Sequence, residues 1–247
     1  FHILDETCFA AFARYVADGH AGQDAVLEND INVNMGAGSD CPLVGTPTMY
    51  EGTFDGQGHT IVATVNGGGS IGGIFSSVKG ATIRNLTAEG SVSNATQAGF
   101  VGAIDSRDVL LENIIVKMNI EGTTNVGGLV GTSTSFTDHT ATFRNYMFAG
   151  KATYVGPEGK NGLGGFLGWC ATGSNFAMES CIMIGDIDLG TNPEKTAQFL
   201  RANNGCKFSV KNCAYIPAPG IMFVNGHSSE ANATPLACDN ATDGELC

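Results

Sequence analysis

Charge is scarce in this chain of 247 residues, and basic charge is scarcest. Charged residues make up 15%, with 12 Lys and Arg against 24 Asp and Glu, a net of −12. Nucleic-acid binding needs clustered Lys and Arg, so this balance disfavours it. It also disfavours polyanionic substrates such as pectate, unless a metal inverts the local charge. Tryptophan occurs once, and proline only 7 times. No Cys-x-x-Cys pair occurs, and none of the 5 His stands at metal-ligand spacing. No metal site and no cofactor is therefore expected. A G-x-S-x-G elbow, a phosphate loop and a dinucleotide fingerprint are all missing. No apolar run has the length of a transmembrane segment. The start at Phe1 without a leader is what a mature chain has once its signal is removed.

What is abundant is glycine, 35 residues, within a composition that is 43% hydrophobic. That is ample for a core and too apolar for disorder. The glycines recur in a pattern of two small, two bulky and one small residue. It reads Gly72-Gly73-Ile74-Phe75-Ser76, Ala98-Gly99-Phe100-Val101-Gly102, Gly127-Gly128-Leu129-Val130-Gly131 and Gly164-Gly165-Phe166-Leu167-Gly168. Such a repeat predicts one unit stacked on itself, a solenoid.

A second element lies between these motifs and aligns on Asn85, Asn113, Asn145, Ser180 and Asn212, spaced 28, 32, 35 and 32 residues apart. Apolar residues stand two before, one after and three after each anchor, for example Leu111, Ile114 and Val116 around Asn113. That is a turn leading into a strand with one buried face. Asn tolerates left-handed backbone and can bond its neighbours in a stack. No amphipathic stretch of helical length occurs inside the units. The expected fold is all-β, a single right-handed parallel β-helix, since right-handed crossovers dominate parallel topologies. One helix is predicted over residues 5–18, with Asp5 as N-cap, Phe9, Phe12, Ala13 and Val16 on one face, and Gly19 as its stop. It would cap the open end. The expected organisation is a cap segment over 1–23, repeats over 24–216 with a loop at 34–48, and a disulfide-tied tail over 217–247.

The segment Tyr50-Glu-Gly-Thr-Phe-Asp-Gly-Gln-Gly-His-Thr-Ile61, followed by these glycine repeats and strands, resembles the GLUG-motif repeat proteins. The resemblance spans roughly residues 24–216. It implies a secreted or surface-attached, adhesin-like protein, and says little about activity because solenoids host many functions.

The register also assigns outward positions. Glu89 falls beside Lys117 and Lys151 beside Asp186, while Arg84, Glu112 and Arg144 share a column; these read as surface charge ladders. Two after each anchor stand Thr87, Ile115, Met147, Ile182 and Ala214, with Ile184 and Ile216 close by. This apolar stripe calls for a cover, either the tail segment Ile221-Met-Phe-Val224 or a neighbouring molecule. Eight cysteines and four sequons suit an oxidising, extracellular location. Expected pairs are Cys8 with Cys41, Cys170 with Cys206, Cys181 with Cys213, and Cys238 with Cys247. The sequon acceptors are Asn85, Asn94, Asn232 and Asn240.

An enzyme of the β-helix lyase or hydrolase kind would need clustered carboxylates and bases along a groove. The aligned columns hold no such cluster, although insertions at 154–163 and 188–196 lie outside them. No catalytic residue is expected. The expected function is structural or adhesive, as a subunit of an extracellular filament or surface assembly that contacts itself, another surface protein or a glycan. The alternatives are a carbohydrate-active β-helix enzyme and a glycan-binding module using Trp169 and Tyr154.

Overall fold

The computed structural model describes residues 1–158, 162–188, 196–203, 205–216, 221–226 and 236–237, of which 222–226 and 236–237 are described by their backbone alone. The chain winds as a parallel β-solenoid of about six turns with one helix at its N-terminal end.

Strand β1 (His2–Ile3) pairs with β2 (Ala25–Leu27), and between them runs α1 (Glu6–Ala17). The Asp5 carboxylate accepts from the Cys8 N–H at 2.8 Å, capping the helix, and Gly19 at φ 108° ends it. Phe9, Phe12, Ala13 and Val16 are buried, as the periodicity predicts. Phe12 lies 5.7 Å from Tyr50 and 5.9 Å from Phe54, measured between ring centroids. The helix therefore closes the end of the apolar interior.

Beyond it, β3 (Ile31–Gly36) pairs with β5 (Thr60–Gly72), and β4 (Thr53–Asp55) pairs with β2. The strand alternation carries β3 to Gly36, with Asn34 outward and Met35 buried, so the following loop begins later than residue 34. Every pairing between strands among the described residues is parallel and links one coil to the next. One register runs Thr82↔Leu110↔Thr142↔Ala177↔Ser209. Rings pack edge-to-face through the interior, as Phe166 against Phe199 at 4.8 Å and Phe199 against Tyr215 at 5.5 Å.

Each coil turns at its anchor residue. Asn85, Asn113, Asn145, Ser180 and Asn212 all have φ between 49° and 56°. Asn113 Nδ2 donates to Asn85 Oδ1 at 2.9 Å, and Asn145 Nδ2 to Asn113 Oδ1 at 3.0 Å. Asn85 in turn donates to Asp55 Oδ1 at 3.0 Å. A second, shorter ladder joins Asn94 to Asn66 at 2.8 Å. The paired glycines serve close approach: a Cβ on Gly127 would lie 2.0 Å from the Val130 carbonyl oxygen.

The tail departs from expectation. Strand Met222–Gly226 pairs with Ala197–Ala202, and strand Leu236–Ala237 pairs with Ala214–Tyr215. These segments extend the solenoid. Met222–Val224 adds a strand to the coil above, and so does not lie across the outward stripe. No helix among the described residues is long and apolar enough to cross a membrane.

Candidate interaction surface

The Asn column is a corner that separates two outward faces. On the face preceding it, each anchor is preceded by a charged residue, except in the first coil, where Asp55 holds that register. The column reads Asp55, Arg84, Glu112, Arg144, Glu179, Lys211, with the sign alternating at every coil. Arg84 Nε meets Asp55 Oδ2 at 2.9 Å, while Arg144 meets Glu112 at 3.6 Å and Glu179 at 3.2 Å. Burial pushes the Asp55 carboxyl up, but bonds from Asn85, the Gln57 N–H and Arg84 outweigh it and hold it below the ordinary 3.8.

On the face following the corner, the column runs Thr60, Thr87, Ile115, Met147, Ile182, Ala214. All six are half-buried, each beside its counterpart in the next coil. Of the neighbouring outward residues, Ile184 is half-buried, Val62 is 38% exposed and Ile216 is 41% exposed. An apolar stripe rimmed by polar residues is the common form of a contact surface. On its other side Lys117 Nζ meets Glu89 Oε1 at 3.2 Å. One expected pair is corrected: Lys151 is in register with Asp186, but its ammonium bonds Asp188 at 3.2 Å.

Of the expected disulfides, Cys170–Cys206 is formed and ties successive coils. Cys181 and Cys213 occupy one buried column yet are not bonded. Side chains in a parallel register point the same way, so each thiol bonds the coil above: Cys213 Sγ the Met178 carbonyl and Cys181 Sγ the Phe143 carbonyl. Cys8 and Cys41 are also unbonded; Cys41 Sγ turns to the Pro42 carbonyl, and burial pushes its thiol up to about 11. Cys238, Cys247, Asn232 and Asn240 lie outside the described residues. Asn85 and Asn94 each spend their amide donor inside a ladder, on Asp55 and Asn66.

Sequence reasoning missed Arg201. It follows the bulky pair Phe199-Leu200, where earlier coils have Gly102, Gly131 and Gly168. Here the register shifts: Leu167 faces Leu200 but Cys170 faces Ala202. Arg201 is 5% exposed, and its guanidinium donates to Asn125 Oδ1 and the Gly168 carbonyl, both at 3.1 Å. It lies 5.1 Å over Trp169, and burial lowers it to about 10. Trp169 thus has one ring face covered. Tyr154 is buried with its hydroxyl donated to Pro157. Tyr154 is therefore no open stacking platform, while Trp169 stays half-buried.

His59 and His139 stand at corners beside carboxylates of the preceding coil, Asp30 at 3.2 Å and Asp108 at 3.5 Å. Each carboxylate also accepts the N–H of the following threonine. A groove of about 920 Å³ opens between α1 and the outward side of β3 and β5; Glu6, Arg14, Asn32, Asn34 and Asp40 are among its lining residues. No group of three or more His, Cys, Asp or Glu with metal-site geometry occurs among the described residues. No protein-family model matches this chain. Comparison with curated proteins finds no relative.

Proposed function

We propose that this protein is a secreted structural or adhesive rod that works by contact through the outward face after the Asn corner, as a subunit of an extracellular or surface assembly. The carrying observation is the apolar column Ile115, Met147, Ile182, continuous over three coils, with the charge ladder on one side and the Lys117–Glu89 pair beside Ile115 on the other. The coil-to-coil disulfide suits an oxidising compartment. The likeness of Tyr50–Ile61 and the glycine repeats to GLUG-motif proteins supports a place at the cell surface. Contact through a side face differs from end-to-end growth, because α1 covers the N-terminal end of the interior.

The test is the double variant Ile115→Lys/Ile182→Lys, both positions being outward and outside the core. Size-exclusion chromatography with light scattering, and retention on cell-surface preparations, compare it with the wild type. The expected result is loss of association or retention with an unchanged melting temperature. A variant that associates and is retained like the wild type contradicts the reading.

A carbohydrate-directed role draws on the groove, where Glu6 and Asp40 supply carboxylates and Asn32 and Asn34 carboxamides. Its measure is oligosaccharide binding or cleavage that disappears in Glu6→Gln/Asp40→Asn.

A further inference from the structure

An alternating ladder of even length has a property that a single ion pair lacks. Read downward, the outward charge column is Asp55, Arg84, Glu112, Arg144, Glu179, Lys211. Read upward, it carries the opposite sign at every position. Two copies placed side by side and antiparallel would bring Asp55 opposite Lys211, Arg84 opposite Glu179, and Glu112 opposite Arg144. A parallel placement of the same columns would set like against like, which costs affinity and rejects that arrangement.

The apolar column fits the same operation. A two-fold axis lying in the contact plane, perpendicular to the rod, sets every column opposite its own reverse. Ile115 then faces Met147 at the centre, flanked by Thr87 opposite Ile182 and Thr60 opposite Ala214. The largest apolar side chains thus gather at the middle and the smaller ones at the ends, the usual anatomy of an interface. The column two residues before the charge ladder on the same strands is compatible too: Thr53 meets Ser209, Thr82 meets Ala177, and Leu110 meets Thr142. The face is roughly 30 Å tall, from about six strands spaced about 4.8 Å, and about 20 Å wide, from about six residues of strand. That gives roughly 600 Å² per copy, or about 1,200 Å² in total, at the lower limit for a specific protein contact.

We propose that the partner of this face is a second copy of the same chain, held antiparallel by a two-fold axis, with the apolar column at the centre and the Asp55–Lys211 charge ladder, just across the Asn corner, along one rim. This deepens the contact reading above and rests on it. The ion pairs at such a rim set orientation and register, while the apolar column supplies most of the attraction. Because the contact is small, association is reversible and depends on concentration. It weakens in high salt as the ladders are screened.

Arg84 and Glu179 provide the test. In Arg84→Glu, glutamates oppose each other twice across the axis; in Glu179→Arg, arginines do. Each variant alone should associate at least tenfold more weakly than wild type in sedimentation velocity. An equimolar mixture of the two should recover association, since every contact between the Asp55–Lys211 ladders is again of opposite sign. Thermal melting of each variant separates a loss of contact from a loss of fold, because both residues also belong to the intramolecular ladder. Wild-type association with no recovery in the mixture overturns the antiparallel register while leaving the contact face standing. A wild type that stays single at high concentration, yet is retained on cell surfaces through Ile115 and Ile182, overturns the second copy as partner. Absence of both association and retention removes the contact reading itself.

Discussion

Asn113 has two roles at one corner: it holds a left-handed backbone at φ 54°, and its side chain links the coils before and after it. The two contributions can be separated. Asn113→Gly keeps the backbone and loses the ladder, at a cost of about 1 kcal/mol. Asn113→Ala loses the ladder and adds left-handed strain, for a total of about 2–3 kcal/mol. Chemical denaturation of the two variants should therefore rank glycine above alanine, the reverse of the order in an ordinary strand. Asp55 carries a pH signature. Its carboxyl is held below the ordinary value, so between the folded and unfolded values the unfolded chain binds more protons. Its contribution to stability is present above about pH 4 and is lost as pH falls through the lower folded value. Acid titration of melting temperature should show a shallower fall in Asp55→Asn than in the wild type. The Asn column was readable because few residues satisfy both the backbone and the bond. Arg201 was not, since one arginine in a glycine column leaves no periodic trace.

At the scale of the element, register was legible wherever a coil carries both its anchor and its glycine pair. The pairings of the Val109–Gly122 strand with its two neighbours follow from that alignment. Cys170–Cys206 was legible for the same reason, each cysteine following the bulky pair of its coil. Cys181 and Cys213 mark the limit: alignment puts two residues in one column, where the Cys181 N–H donates to Cys213 Sγ, but does not decide that their sulfurs are joined. The tail shows another limit. Residues after 216 carry neither anchor nor glycine pair, so nothing in the pattern announced that strands Met222–Gly226 and Leu236–Ala237 continue the stack. The disulfide closes a separation of 36 residues, worth about 4 kcal/mol in the loop-entropy description. Reduction should raise hydrogen exchange in Leu167–Cys170 and Ala197–Ala202 while leaving β3 and β5 unchanged. Equal loosening of both ends would show that the link does not act locally.

For the whole molecule, stacked coils turn single side chains into columns, and the columns make a face with a fixed pattern of charge and apolar surface. α1 closes one end over Phe54 and Tyr50, which leaves the sides as the surfaces available for contact at that end of the rod. The apolar stripe was legible as soon as the register was set; its half-burial and its border of ion pairs required the side chains in place. The sharpest check is small-angle X-ray scattering of the wild type across a concentration series. Side-by-side contact predicts a growing cross-section at nearly constant length, about 30 Å for six coils spaced about 4.8 Å. Growth in length at constant cross-section, or no change at any concentration, would contradict it.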